Sequence, residues 1–273
     1  MASQLSCAAG HQWQSGDSGK GAMSCPICGA SPTLASLGAP PETAAALAHL
    51  QDQLGRAAGH NLAGLILYGG LARGRYHPRT SDINLVVLLR DTSGPALDQI
   101  APALRHAWRA IGVEPLILQP NEVEHAAVDF PAKFLDIQSH HVVLTGDDPF
   151  AALEIDAGRL RAQVSQGLRN IGLRLRRQYV AMAHDPDAVA LMLGKIARPL
   201  AIELSGLLRL NGKPVPAEDR TVAIFEAAAE AFNLDRATLR ELAELRRAGN
   251  VASEPAELFT RLLTCISQVQ KIV

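Results

Sequence analysis

The chain has 273 residues, 48% of them hydrophobic and 19% charged, with a formal net charge of −1. This composition suits a globular protein with room for more than one domain; near-neutrality argues against a general nucleic-acid binder, and no apolar run approaches the roughly 18 residues that mark a membrane span. Aromatic residues make up only 4%, so the core must be built from Leu, Val, Ile and Ala, a supply that favours helix-rich folds.

The opening segment MASQLSCAAGHQW lacks the basic and apolar regions of a secretory signal, so a cytoplasmic setting is expected. Cys7, Cys25 and Cys28 crowd into the first 28 residues together with His11, while Cys265 stands apart in a helical apolar pattern. Disulfides are disfavoured in a reducing compartment, whereas Cys-x3-His followed by Cys-x2-Cys offers the four N/S ligands that tetrahedral zinc requires. Four protein ligands leave no open position for chemistry, so the expected role is structural or docking, with Trp13 packed on the metal turn. The GHxW and CPxCG elements resemble those of a zinc ribbon. That resemblance implies structural zinc on Cys7, His11, Cys25 and Cys28 within residues 1–31, and a surface for a protein partner.

Residues 32–41, small, uncharged and rich in Pro and Gly, read as a linker. A helix is expected over PETAAALAHLQDQLGRAAG, with Leu47, Leu50 and Leu54 on one side. Four apolar runs of strand length follow: Leu62–Tyr68, Ile83–Leu89, Val113–Leu118 and Val142–Leu144. The pattern PALDQIAPALRHAWRAIG between the second and third predicts another helix. Residues 42–150 are thus expected to form a mixed α+β domain with a small sheet. From Asp156 onward the pattern is helical throughout, with Leu160, Val164, Leu168, Ile171, Leu175 and Met182 on one stripe. Further helices are expected near 187–210, 218–232, 236–248 and 254–272, making residues 151–273 an all-α bundle.

The stretch LILYGGLARGRYHPRTSDINLVVLL carries the chemistry. A buried strand ends at Tyr68, Gly69-Gly70 follows, a short helical segment over LARGRY is expected, and after the polar turn HPRTS a second strand opens with Asp82-Ile83-Asn84. Residues two apart in a strand share a face, so Asp82 and Asn84 point together, and glycines at a strand exit let backbone N–H groups approach an anion. The constellation reads as a phosphate cradle beside a metal-binding edge.

Gly69-Gly70, eleven intervening residues and Asp82-Ile83-Asn84-Leu85, with Ala72-Arg73-Gly74 and Ser81-Asp82, resemble the signature of the nucleotidyltransferase superfamily with the polymerase-β-like fold. The resemblance covers about residues 60–145. It implies transfer of a nucleoside monophosphate from an NTP to an acceptor hydroxyl of a small molecule, an RNA end or a protein. It also implies Mg²⁺ held mainly by Asp82, with Gly69, Gly70, Arg73 and Ser81 around the nucleotide and a third carboxylate on a later strand. Glu114 is the first candidate for that carboxylate and Asp136 the second. Asn84 departs from the pattern, which has an acid there, and weakens the site for a hard cation. The alternative implied by that departure is a catalytically impaired nucleotide-binding or regulatory module that docks a partner through the zinc head. In the helical half, Arg169, Arg176 and Arg177 form a basic stripe and Glu203 interrupts an apolar row.

Overall fold

A computed structural model describes residues 4–14, 23–78, 81–216, 221–248 and 254–273. The chain forms two compact units, Met1–Ile155 and Asp156–Val273, and its architecture is α+β. Among the described residues no helix is long and apolar enough to cross a membrane.

In the first unit, strands β1 (Gln4–Ser6) and β2 (Gln12–Gln14) form a short antiparallel hairpin, with Leu5 opposite Trp13. Helix α1 (Pro41–Ala58) opens on a proline suited to a first turn. Strands β3 (Leu62–Tyr68), β4 (Ile83–Leu89), β5 (Val113–Leu118) and β6 (His141–Gly146) build a sheet of order β5-β4-β3-β6. β3 runs antiparallel to both β4 and β6, while β4 and β5 are parallel. A parallel pair needs a long crossover, and α2 (Gly94–Ile111) supplies it. Pro115 sits on the edge strand β5, where a missing amide donor is tolerated.

Each face of the sheet has its own apolar layer. Leu65, Leu67, Leu85, Val87 and Val142 pack with Leu47, Leu50 and Leu54 of α1 and Ile100 and Leu104 of α2. Leu5, Trp13, Met23, Leu37 and Ala39 belong to this same layer, so the cysteine head and the segment after it are packed into the core. The head also covers the β6 edge: the Met23 amide donates to the His141 carbonyl at 3.2 Å, and the Ser31 hydroxyl donates to the Val143 carbonyl. On the opposite face, Ile66, Val86 and Leu88 meet Val123 and Ala127 of α3 (Glu122–Asp129) and Phe134 and Ile137 of α4 (Pro131–Ser139).

The second unit contains five helices among the described residues: α5 (Ala157–Met182), α6 (Pro186–Leu210), α7 (Thr221–Phe232), α8 (Arg236–Ala248) and α9 (Pro255–Gln270). Asp156 caps α5 by accepting from the Gly158 and Arg159 amides, and Asp185 caps α6 through the Ala188 amide. Leu160, Val164, Leu168, Ile171 and Leu175 form the buried stripe of α5. Tyr179 stacks on Phe259 of α9, their ring centroids 3.8 Å apart. Cys265 is buried in α9, where burial and the charge of Asp235 push its thiol up to about 12; it is an inert core residue.

Three segments depart from the sequence expectation. LARGRY is a succession of turns over Gly70–Gly74, closed by hydrogen bonds from the Arg73 amide to Gly69 and from the Gly74 amide to Leu71. Asp136 lies on helix α4 and not on a strand. The last strand is longer than Val142–Leu144, beginning at His141 and ending at Gly146.

Candidate functional site

The head brings four ligand-type side chains together. The ligand atoms of Cys7, His11, Cys25 and Cys28 all lie within 4.8 Å of one another, and all three thiols are free. Two backbone turns place them: the Gly10 amide bonds to the Cys7 carbonyl at 2.9 Å, and the Gly29 amide bonds to the Cys25 carbonyl at 2.8 Å. His11 Nδ1 stands 3.6 Å from the Cys7 sulfur, 3.4 Å from that of Cys28 and 3.6 Å from that of Cys25, while the Cys7 and Cys28 sulfurs are 3.7 Å apart. Tetrahedral zinc with ordinary bond lengths would set sulfurs about 3.8 Å apart and sulfur and nitrogen about 3.6 Å apart. The donor set therefore fits zinc in kind, number and spacing.

The thiols are also electrostatically prepared. Burial opposes ionisation of Cys25, but the amides of Cys28 and Ile27 and the side chains of Cys28 and His11 outweigh it, lowering the thiol from 9.0 to about 6. At Cys28 the Ala30 amide favours the thiolate, yet burial and the neighbouring sulfurs of Cys25 and Cys7 raise its thiol above the ordinary value. One thiolate thus forms readily and the next is opposed by it, the situation that a dication resolves.

The second constellation lies at the end of β3. The register sets Tyr68 opposite Asn84, Asn84 beside Glu114, and His141 opposite Tyr68, a single row across all four strands. Gly69 follows with φ at +78°, and a Cβ there would stand 2.8 Å from Asn84 Nδ2, so only glycine fits between the turn and the amide. Among the described residues the amides of Gly70, Leu71 and Ala72 donate to no acceptor, although Leu71 and Ala72 are buried. Successive unengaged amides at a strand exit are donors of the kind that can take up an anion.

Asp82 is exposed, two residues before Asn84 and next to Gly112, the residue that ends α2; the Ile83 amide bonds to the Gly112 carbonyl at 2.9 Å. Glu114 is exposed on the edge strand. Ser81 closes the turn before β4: its hydroxyl accepts from the His77 amide at 3.1 Å, and its own amide donates to the His77 carbonyl. Arg79 and Thr80 of that turn lie outside the described residues. Arg73 turns inward to Asp136, Nη2 to Oδ1 at 2.5 Å. Among the described residues the only group of three or more potential metal ligands is the cysteine and histidine set, so Asp82, Glu114 and Asp136 do not converge as that set does.

Tyr68 adds a residue that the sequence did not single out. Burial first, then the charges of Asp136 and Glu114, raise its phenol above the usual range. Both carboxylates therefore act on one half-buried hydroxyl, which remains a protonated donor at neutral pH. The signal available in sequence was its position immediately before the glycine pair.

No protein-family model matches the chain, and no curated protein matches it in sequence. Among solved structures it is similar to spectinomycin adenyltransferase AAD(9) from Enterococcus faecialis, determined with ATP and spectinomycin. The two share 13% sequence identity over 82% of this chain and 98% of that one, with a TM-score of 0.48.

Proposed function

We propose that the protein is a cytoplasmic nucleotidyltransferase that moves a nucleoside monophosphate from an NTP to an acceptor hydroxyl. The observation that carries this reading is the row Tyr68–Asn84–Glu114 lying against a glycine turn with three unengaged amides. In the proposed reaction the acceptor oxygen bonds to the α-phosphorus, the bond from that phosphorus to the bridging oxygen breaks, and pyrophosphate leaves with the electron pair. The acceptor proton passes to a carboxylate, for which Glu114 is better suited than Asp136 because Arg73 already engages Asp136. The amides of Gly70 to Ala72 hold phosphate oxygens, and Tyr68 donates to an anionic oxygen beside them.

Asp82 and the Asn84 carbonyl are hard oxygen donors of the kind Mg²⁺ takes, and they would hold it at this edge. Bound there, the ion would neutralise triphosphate charge and acidify the acceptor hydroxyl. Asn84 brings one fewer negative charge than an acid, and this favours a second reading as a nucleotide-binding module of low activity. Zinc in the head serves architecture in either case.

The test measures NTP binding by calorimetry and pyrophosphate release with Mg²⁺ or Mn²⁺ across a broad acceptor panel. Asp82→Ala is expected to lower turnover about 10²-fold or more, and Asn84→Asp to tighten Mg²⁺-dependent NTP binding. Neither binding nor release in the wild type would overturn the proposal. Binding without release, unchanged by Asn84→Asp, would favour the module.

A further inference from the structure

Helix α5 carries six arginines and no acidic residue over its 26 positions. Arg169, Arg176 and Arg177 are exposed and make no hydrogen bond or ion pair among the described residues. They border two exposed aliphatic side chains at helical-neighbour spacing: Leu173 is 59% exposed, four residues after Arg169, and Val180 is 81% exposed, four residues after Arg176. Like charges without acidic partners destabilise a helix, and water-exposed Leu and Val gain nothing in an isolated chain. Arginine enriched around aliphatic side chains, with acids absent, is the composition of a protein interface.

The complement is present on the same polypeptide. Helix α3 is acidic, and on it Glu124 and Asp129 are exposed and likewise without a hydrogen bond or ion pair among the described residues. They flank Val128, 40% exposed, and Phe130, 57% exposed, which follows directly. One surface is thus basic around two aliphatic groups, and the other is acidic around an aliphatic and an aromatic group. Each is uncovered in its own unit. From Arg169 to Val180 the helix rises about 16 Å, so α3, about 12 Å long, fits within that stripe.

We infer that α3 of one copy docks on α5 of a second copy, making this chain self-associate through charge-complementary helix faces. Pairing α5 with α5 would set arginine against arginine, and α3 with α3 acid against acid, so the charges also select the pairing. Nucleic acid is the poorer occupant, because Tyr179, the one aromatic residue of α5, is stacked on Phe259 and offers no face to a base.

Sedimentation equilibrium on the full chain tests this, with circular dichroism confirming that each variant is folded. The wild type is expected to self-associate at about 50 mM salt and to dissociate progressively toward about 500 mM. Arg176→Glu with Arg177→Glu should give a monomer, as should Glu124→Arg with Asp129→Arg. Mixing the two reversed chains should restore association, because each then offers the charge the other lacks. A wild type that stays monomeric, a reversal that leaves association unchanged, or a mixture that fails to associate overturns the inference. Salt-sensitive binding of a labelled 20-nucleotide RNA to a monomeric wild type, lost with the arginine reversal, would overturn it in favour of nucleic acid.

Discussion

Arg73, on the turn that leaves β3, reaches Asp136 on α4 at 2.5 Å, and its side chain is only 10% exposed while that of Asp136 is 33% exposed. The pair ties the glycine turn to the helix layer. A guanidinium left alone in that position would lack its counter-charge. Asp136→Asn should therefore lower unfolding stability by about 1–3 kcal/mol. Glu114→Gln, at an exposed position, should leave stability within about 0.5 kcal/mol and affect turnover instead. Urea unfolding alongside pyrophosphate release separates the two; equal stability losses would show that the pair contributes nothing special.

The cysteine head is built into the core through Leu5, Trp13 and Met23, and it covers β6 through Met23 and Ser31. Metal loss should therefore be felt beyond the head. One zinc per chain is expected by elemental analysis, and its removal by a chelator should lower Tm by about 5 °C or more. Amide exchange in β6 should accelerate at the same time. Cys25→Ser should bind zinc at least about 10-fold more weakly. Metal-free protein with unchanged Tm and β6 protection would mean that the four side chains meet without a structural ion.

Most of the fold was legible because its elements have strong periods. The runs Leu62–Tyr68, Ile83–Leu89 and Val113–Leu118 are bounded by glycine or polar residues and emerge at those residues. Asp185-Pro186 combines a cap with a first-turn proline, so the start of α6 was equally readable. The helices α3 and α4 were not, because eight or nine residues span barely two turns and Pro131 splits the pattern. The three-residue strands β1 and β2 have no period at all. At the candidate sites, cysteine and histidine announce metal ligation by residue type alone, so their convergence followed from sequence. The Arg73–Asp136 pair and the load on Tyr68 depend on where α4 packs, which no local pattern encodes.

His141 is buried on β6 with Nδ1 3.0 Å from the Ile137 carbonyl and Nε2 3.0 Å from Asp148 Oδ1. Ionised Asp148 accepts from the Nε2–H of this ring. Burial alone would raise the Asp148 carboxyl, but hydrogen bonds from His141 and the Phe150 amide outweigh it and hold it below the ordinary 3.8. A depressed carboxyl stabilises the fold above its unfolded value, and that contribution is lost as pH falls through the lower folded value. Asp148→Asn should cost about 1–2 kcal/mol at neutral pH. The gap between variant and wild type should then close below pH 3.8. A gap independent of pH in acid titrations of unfolding would assign the loss to packing around Phe150.

Glu203 on α6 lies against the bare Cα of Gly167 on α5, where any larger residue would displace its carboxylate. It has no hydrogen bond or ion pair among the described residues, and burial alone raises it from 4.5 to about 7. The folded state therefore binds a proton that the unfolded state releases between those values. Stability contributed by the protonated form is complete below pH 4.5 and declines as pH rises through about 7. Glu203→Gln keeps the shape and removes the charge, so it should stabilise the helical unit by about 1 kcal/mol at pH 8, once solvent screening of a partly exposed group is allowed for. The same variant should match the wild type at pH 4.5. Gly167→Ala should instead destabilise at both pH values, because the added methyl group meets the side chain whatever its charge. Thermal unfolding of the three proteins across this range decides the matter: a Gln variant that is no more stable than wild type at pH 8 would mean that Glu203 is solvated and carries no burial cost.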